Sequence, residues 1–266
     1  RLTKLHAIGS FDEHVSTSHD AFQNKQISVE QLISIADLFA SGDVGKSQPK
    51  IALQVIEPWL QSNDPVFLAS AKLALRYPEI IELSALLSRL KKLDAEKVPA
   101  ASLYLAKIYL DGKLVPENAT KALGYLENSQ SEPEAKYRLG ALILSGKLNT
   151  VDSEYDAQSG VDLIVAAGRQ FHLNAYLYLA NKFSDPQKYL YNPVYATVFA
   201  TVYEHLGGKL DEEDALNISQ LGLSNAELER AKTTAMSELE DGVVGWQRIE
   251  IDPEDVAYLL GEKTKL

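Results

Sequence analysis

Two histidines near the start of the chain, His14 and His19, lie among carboxylates with which they could bind a metal ion. Asp12, Glu13 and Asp20 bring the number of potential ligands to five within nine residues. However, a spacing of five residues does not place both histidines on one face of a helix, and the Ser-Thr-Ser segment between them is typical of a loop. The pattern therefore favours a polar loop between helices, with a zinc site as the alternative.

A second acidic pattern lies in the middle of the chain. Asp152, Glu154 and Asp156 alternate in the way that the first ligands of an EF-hand calcium loop do. The rest of the loop does not follow, because Ala157 stands where the glycine is required and Leu163 where the bidentate glutamate is required. We therefore expect a solvated insertion here, with weak calcium binding as the alternative.

The remaining residues offer no constellation for catalysis. The chain contains no cysteine, which excludes disulfides, thiolate metal sites and a cysteine nucleophile. It has no Gly-x-Ser-x-Gly elbow, P-loop or dinucleotide-binding glycine motif, and His172 and His205 are isolated in the sequence. We predict a protein that is not an enzyme and that has no catalytic residue, cofactor or metal of its own.

The charge of the chain argues against several classes of partner. Its 266 residues carry a formal charge of -11, and residues 211–266 hold 14 acidic against 5 basic side chains. Because no basic run is present, nucleic acid and anionic membrane surfaces are unsuited partners, and the same repulsion disfavours tight binding of any polyanion. No stretch approaches the roughly 18 consecutive apolar residues of a membrane-spanning helix. Because the first residue is Arg1 rather than Met, we expect a mature fragment or a truncated chain whose targeting signals are missing.

An internal repeat indicates which elements position the side chains of this chain. In each copy, three positions separate the first residue from an apolar residue, a small residue and two further apolar positions. The clearest copies begin at Ala101, Ala135 and Ala175, and weaker ones begin at positions 31 and 66. The five starts are separated by 35, 35, 34 and 40 residues, and an insertion around 149–158 explains the longest interval.

Four of the five first segments are each followed by a second apolar segment that has the i, i+3, i+4 spacing of a helix. The second segments are Ile51–Leu60, Ile80–Leu90, Lys121–Leu126 and Val194–Tyr203. Small residues at fixed positions allow helices to pack closely, and Gly42, Gly112 and Gly146 suit the ends of the first helices. One helix pair cannot bury its apolar face alone. The sequence therefore predicts an all-α fold, a right-handed superhelical solenoid of antiparallel helix pairs over residues 1–210.

The first helix of each pair lines the concave face of such a solenoid. The register of the repeat directs eight residues toward this groove: Tyr104, Lys107, Asp111, Arg138, Ala141, Tyr178, Asn181 and Asp185. We predict that these residues, apart from Ala141, bind a partner. The alternative for any one of them is an ordinary solvated position on a helix.

The C-terminal part of the chain departs from the repeat. Ser224 and Glu227 form the capping-box pattern of a helix start. We predict that residues 211–240 form C-terminal capping helices for the stack. Residues 241–266 form an acidic tail, in which Trp246 and the apolar residues after it favour partial order over full disorder.

The alternating helices, with Leu-Ala or Leu-Gly in the first helix and a glycine-containing loop after it, resemble Sel-one-like repeats, which are relatives of tetratricopeptide repeats. More specifically, the chain resembles the C-terminal half of the AlgK family, periplasmic outer-membrane lipoproteins of bacterial alginate export. The stretches that carry the resemblance are 20–60, 65–79, 103–127, 155–180 and 192–240. The lipid-bearing cysteine and the N-terminal repeats of that family have no counterpart in this chain.

The resemblance implies a non-catalytic scaffold that helps to assemble and localise the alginate secretion complex. It implies two partners, the outer-membrane alginate porin and the periplasmic alginate O-acetylation protein, and a location in the periplasm at the inner leaflet of the outer membrane. A membrane anchor, if there is one, lies outside this fragment. Two alternatives stay open: a groove that binds the exported polysaccharide directly, which the acidic charge disfavours, and a Sel-one-like adaptor of another envelope pathway.

Overall fold

The computed structural model describes residues 11–42, 46–148 and 155–241. Within these ranges it contains thirteen α-helices and two short 3-10 turns, and no strand. None of these helices combines the length and the apolar character that crossing a bilayer requires. The chain divides into two compact units, Arg1–Asn118 and Ala119–Leu266.

The described part of the N-terminal unit contains six helices. They are α1 (Phe11–Gln23), α2 (Val29–Ser41), α3 (Pro49–Ile56), α4 (Asp64–Arg76), α5 (Leu83–Ala95) and α6 (Pro99–Asp111). The 3-10 turns Glu57–Trp59 and Pro78–Ile80 follow α3 and α4. One apolar cluster joins α2, α3 and α4 through residues such as Leu32, Ile56 and Val66, which are fully buried.

The described part of the C-terminal unit contains seven helices. They are α7 (Ala119–Asn128), α8 (Pro133–Ile143), α9 (Ala157–Arg169), α10 (Asn174–Ser184), α11 (Pro193–His205), α12 (Glu212–Ser219) and α13 (Asn225–Asp241). The core of this unit includes Phe183 of α10 and Phe199 of α11, whose ring centroids are 5.6 Å apart. Ala231 and Ala235 extend the same core to α13.

The sequence repeat corresponds to an alternation of first and second helices. The first helices are α2, α4, α6, α8 and α10, and each predicted repeat start falls in the first turn of one of them. The small and apolar residues that define the clearest copies are buried: Ala101, Leu105, Ala106, Ala135, Leu139, Gly140, Ala175, Leu179 and Ala180. The predicted all-α fold of repeated helix pairs is therefore confirmed.

Proline and glycine set many of the helix boundaries. Five helices, α3, α4, α6, α8 and α11, carry proline at one of their first two positions, where the missing N–H costs no helical hydrogen bond. Gly42 and Gly112 end α2 and α6 with φ angles of 81° and 65°. Glycine is suited to this left-handed conformation because it has no Cβ.

The helices α8 and α9 pack closely because two glycines, Gly140 and Gly160, lie at their contact. A Cβ atom at Gly140 would meet the carbonyl oxygen of Gly160 and would lie 2.6 Å from Cγ1 of Ile164. A larger residue would force the axes apart. This contact is the physical reason for the small residue at this position of the repeat.

The prediction of a polar loop around His14 and His19 is wrong, because this segment lies within the helix α1. Phe11, Val15 and Phe22 pack against the core of the N-terminal unit, at spacings that place them on one face of a helix. The polar Ser-Thr-Ser segment does not interrupt α1, since the Ser18 hydroxyl donates to the carbonyl oxygen of His14 one turn earlier at 2.8 Å.

The predicted insertion also extends too far, because α9 begins within it at Ala157. The Asp156 carboxylate accepts a hydrogen bond from the backbone N–H of Ser159 at 2.7 Å and caps this helix. The helix α9 is the second helix of the fourth repeat. The sequence pattern did not reveal this helix. Asp152 and Glu154 lie outside the described residues.

The predicted capping box at the start of α13 is confirmed. The backbone N–H of Ser224 donates to Glu227 at 2.8 Å, and the N–H of Glu227 lies 3.4 Å from the Ser224 hydroxyl oxygen. The helices α12 and α13 occupy the range predicted for the capping helices, while their role as a cap and the boundary at residue 210 stay predictions. Residues 242–266 of the predicted tail, with Trp246, lie outside the described residues.

Candidate functional site

The predicted binding residues all lie on first helices or directly after one. Tyr104, Lys107 and Asp111 belong to α6 of the N-terminal unit. Tyr104 and Lys107 are half-buried, whereas Asp111 is exposed. The Lys107 ammonium lies 5.6 Å from the centroid of the Tyr104 ring, at a distance that allows a cation–π contact.

A cleft of about 360 Å³ between α2 and α4 continues this face within the N-terminal unit. Five of the residues that line it stand 3, 6 or 10 positions after a repeat start, as Tyr104, Lys107 and Asp111 do: Ser34, Asp37, Ser41, Lys72 and Arg76. The Lys72 ammonium lies 2.8 Å from the Asp37 carboxylate. These five residues were not among the predicted binding residues, although the same register, applied to the first two repeats, predicts them.

A second, larger cleft of about 690 Å³ lies between α3, α4 and α5. The helix α3, which lines one side of this cleft, has only eight residues and is followed by Pro58 in a 3-10 turn. The Arg89 guanidinium lies 4.3 Å from the centroid of the Phe67 ring, donates to the carbonyl oxygen of Leu60 and pairs with Asp64 at 2.8 Å. The α4 residues that line this cleft are Asp64, Phe67 and Ser70, none of which stands 3, 6 or 10 positions after a repeat start. The cleft therefore lies outside the predicted binding face.

In the C-terminal unit, Arg138 is held by its own helix. Its Nε donates to Glu134 one turn earlier in α8, at 2.9 Å, and both side chains are partly buried. The pair keeps the guanidinium on this face but neutralises much of its charge.

Tyr178 is the centre of an aromatic cluster, and it is the one member of the cluster that was predicted as a binding residue. Its ring meets the edge of the Tyr137 ring at a centroid distance of 5.6 Å, and Tyr137 lies 4.7 Å from the ring of His172. The Lys182 ammonium lies 5.3 Å from the Tyr178 centroid. The pair Tyr178 and Lys182, four residues apart on α10, could have been found from the sequence. Tyr137 could not, because it comes from another helix.

Burial strengthens the preference of these phenols for the neutral form. It raises the pKa of Tyr178, and the neighbouring phenols of Tyr137 and Tyr189 raise it further. Burial also raises the pKa of Tyr189 to about 12. The pKa of Lys182 is lowered by burial and by the nearby charge of Lys188, with Asp185 acting in the opposite direction. The phenols are therefore neutral hydrogen-bond donors at neutral pH.

The last two predicted residues complete the end of α10. Asn181 is exposed, and its carbonyl oxygen accepts a hydrogen bond from the Ser184 hydroxyl at 3.1 Å. The Asp185 carboxylate accepts from the backbone N–H of Gln187 at 2.9 Å and so stabilises the turn after the helix. Asp185 thus has a structural role besides any binding role.

The two histidines considered as metal ligands pack within the N-terminal unit. His14 is buried, and Nε2 of His19 lies 3.0 Å from the carbonyl oxygen of Gln54, with its ring 5.1 Å from that of Trp59. Across the three described ranges, no three His, Asp or Glu side chains come together in a way that could hold a metal ion.

A buried ionic group joins three helices of the C-terminal unit. Glu238 of α13 is 4% exposed. It accepts hydrogen bonds from Nε and Nη2 of Arg169, each at 3.1 Å, and from the Tyr176 hydroxyl at 2.9 Å. Burial and the Glu238 charge raise the pKa of Tyr176. This group attaches α13 to α9 and α10.

Comparison with known proteins identifies relatives over part of the chain, although no protein-family model matches it. Over 176 residues the chain is 30% identical to the alginate biosynthesis protein AlgK of Pseudomonas syringae pathovar tomato, a match that covers 66% of this chain and 37% of that protein. The AlgK protein of Azotobacter vinelandii is 31% identical over 56% of this chain and 32% of its own length. The matches thus span about a third of the length of these relatives.

The fold has a counterpart among solved structures. The crystal structure of a Sel1 repeat protein from Oxalobacter formigenes aligns with a TM-score of 0.51 and 13% identity, over 84% of this chain and 99% of that one. At this identity the likeness concerns the fold alone. Together, the two comparisons confirm an AlgK-like protein with the Sel-one-like repeat fold.

Proposed function

We propose that this AlgK-like chain is a non-catalytic scaffold in alginate biosynthesis, which helps to assemble the alginate secretion complex at the outer membrane. The observation that carries the proposal is the 30% identity to AlgK over 176 residues. The repeated helix pairs support it, because such arrays offer extended surfaces for other proteins. The proposed location is the periplasm, at the inner leaflet of the outer membrane.

The proposed partners are the outer-membrane alginate porin and the periplasmic alginate O-acetylation protein. We propose that they bind the first helices through Tyr104, Lys107 and Asp111 in the N-terminal unit and through Arg138, Tyr178, Asn181 and Asp185 in the C-terminal unit. Aromatic and arginine side chains are frequent binding hot spots, and these residues include both. The helices α12 and α13 are proposed to cap the stack.

The test is a binding measurement with each purified partner. The chain is immobilised, and the affinities of the porin in detergent and of the O-acetylation protein are measured separately. A variant with Tyr104, Lys107 and Arg138 changed to alanine is compared with a control in which Lys50 and Lys91, exposed residues of second helices, are changed to alanine.

We expect at least one partner to bind, the triple variant to lose affinity at least tenfold, and the control to bind as the unchanged chain does. Thermal unfolding checks that both variants are folded. Unchanged affinity of the triple variant would contradict the proposed face. Binding of neither partner would contradict the scaffold role and favour an adaptor of another envelope pathway.

A further inference from the structure

The cluster around Tyr178 contains more hydrogen-bond donors than the described residues use. The hydroxyls of Tyr137, Tyr178 and Tyr189 form no hydrogen bond with any side chain or backbone group within the described ranges. Tyr137, Tyr178 and Tyr189 all pack against the core of the C-terminal unit, and the rings of Tyr137 and Tyr178 are 5.6 Å apart. All three side chains are half-buried, so their positions are restrained.

The cation in this cluster also lacks a close carboxylate. Lys182 is half-buried and has no ion pair within 4.0 Å among the described residues, although its ammonium lies over the Tyr178 ring. Asp185 is near, but its carboxylate accepts a hydrogen bond from the Gln187 backbone. Lys188 adds a second positive charge. A bound anion would relieve the repulsion between the two lysines and the burial cost of Lys182.

The net negative charge of the whole chain differs from the local charge around the Tyr178 cluster. Residues 172–192 contain Lys182 and Lys188 against one carboxylate, Asp185, so their formal charge is +1 with histidine neutral. Charges beyond about 8–10 Å are largely screened at moderate salt. The net charge of the whole chain therefore does not decide what binds here.

We propose that Lys182 and the phenols of Tyr137, Tyr178 and Tyr189 form a subsite for one sugar-acid residue of a polyuronate. The ammonium pairs with the carboxylate, and the phenols form hydrogen bonds with the sugar hydroxyls. The choice of alginate as the polyuronate rests on the proposed function. The subsite itself rests on the geometry of the cluster.

The donor set favours a uronate over an acidic peptide. A peptide carboxylate requires only the ammonium, whereas three neighbouring phenols match a ligand that carries several hydroxyls beside its charge. Because a single subsite provides few contacts, we expect weak and salt-sensitive binding by each sugar. A polymer gains from repeated encounters with the subsite through its high local concentration of uronates.

The test titrates the whole chain with oligomannuronate at 50 and 150 mM salt, followed by calorimetry. A neutral cello-oligosaccharide of the same length and an oligoglutamate are the reference ligands. Lys182→Met and Tyr178→Phe remove the ammonium and one hydroxyl with little change of shape. Lys209→Met, which alters an exposed lysine of the same unit, is the matched control.

We expect saturable binding of oligomannuronate, at least tenfold weaker for Lys182→Met, severalfold weaker for Tyr178→Phe and unchanged for Lys209→Met. The neutral oligosaccharide should not bind. Absence of saturable binding at 50 mM salt, or equal affinities of Lys182→Met and the unchanged chain, would overturn the subsite. Equal affinity for oligoglutamate would overturn its preference for sugar and indicate an acidic protein segment.

The result is independent of the scaffold test. Loss of the subsite with retained binding of the porin or the O-acetylation protein would leave the proposed function intact. Binding of oligomannuronate without binding of either protein would support the subsite and contradict the scaffold.

Discussion

In the N-terminal unit, Lys72 and Asp37 form an ion pair between two first helices. Their side chains are 58% and 39% exposed, respectively. In the C-terminal unit, the Glu238 side chain is only 1% exposed and is held by Arg169 and Tyr176. An exposed pair contributes little to stability because water and salt screen it. A buried carboxylate is costly without its partners. The two units thus use polar groups differently: as an accessible pair between first helices in one unit, and as an internal connection to α13 in the other.

The two units also differ in their tyrosines. Burial raises the pKa values of five tyrosines of the C-terminal unit: Tyr137, Tyr176, Tyr178, Tyr189 and Tyr195. In the described part of the N-terminal unit the prominent surface features are instead the two clefts. We infer that partner binding can use the cleft between α2 and α4 in the first unit and a preorganised aromatic surface in the second.

The largest expected effect comes from the buried carboxylate. Glu238→Ala leaves Arg169 and the Tyr176 hydroxyl without their acceptor, and we expect a loss of about 2–4 kcal/mol in the free energy of unfolding. Urea unfolding measures it. The matched control is Glu229→Ala on the same helix, whose pair with Lys232 is exposed by 73% and 63%, and it should change stability by less than about 0.5 kcal/mol. Equal effects of the two changes would remove the contrast between buried and exposed pairs.

A smaller loss is expected at the glycine contact of α8 and α9. Gly140→Ala places a methyl group against Gly160 and Ile164, so the helices must separate, at a cost of about 1–3 kcal/mol. Gly124→Ala is the control, because nothing lies within 4 Å of its added Cβ. It should stabilise α7 by about 0.5–1 kcal/mol. Thermal unfolding distinguishes the two, and a neutral Gly140→Ala would contradict the close packing.

Each unit has a residue with positive φ just after a helix, and these two residues test whether the units differ in backbone strain. Phe171 follows α9 with φ 65°, and Lys97 follows α5 with φ 64°, each two residues after the helix end. Because Phe171 is 87% exposed, Phe171→Gly loses little burial and should stabilise by about 0.5–1 kcal/mol. Lys97→Gly should have a gain of the same size. A large loss for Phe171→Gly alone would mean that its ring stabilises the C-terminal unit.

The smallest effect is expected for the exposed ion pair of the N-terminal unit. Asp37→Asn should cost less than about 0.5 kcal/mol at low salt. The difference should disappear at 1 M salt because the charges are then screened. Urea unfolding at both salt concentrations measures it. A cost that persists at high salt would place this pair with the buried group of the other unit.

The helical repeat could be predicted because its signal is a packing requirement. Ala101, Ala135 and Ala175 recur where a first helix is buried, so the pattern reports contacts that the fold needs. The α1 helix was missed although Phe11, Val15 and Phe22 have helical spacing, because its polar centre suggested a loop. Tertiary packing stabilises this helix in spite of weak local preference.

The candidate site could be predicted only in part. The register identified Tyr178, and it also predicts the cleft residues Asp37 and Lys72, which stand six positions after their repeat starts. It could not predict that Tyr137 and Tyr189 approach Tyr178, since that depends on how neighbouring helices and loops pack. For the same reason the connection between Arg169 and Glu238, 69 residues apart, has no sequence signal.

The most direct test of the account is hydrogen exchange of the chain with and without a bound partner. The central claim is that partners bind the face of the first helices. With the purified alginate porin or O-acetylation protein bound, we predict slower amide exchange at the exposed ends of α6, α8 and α10 and unchanged exchange in α5, α7 and α9. Protection confined to the second helices, or no protection in any of these helices despite binding, would contradict the account.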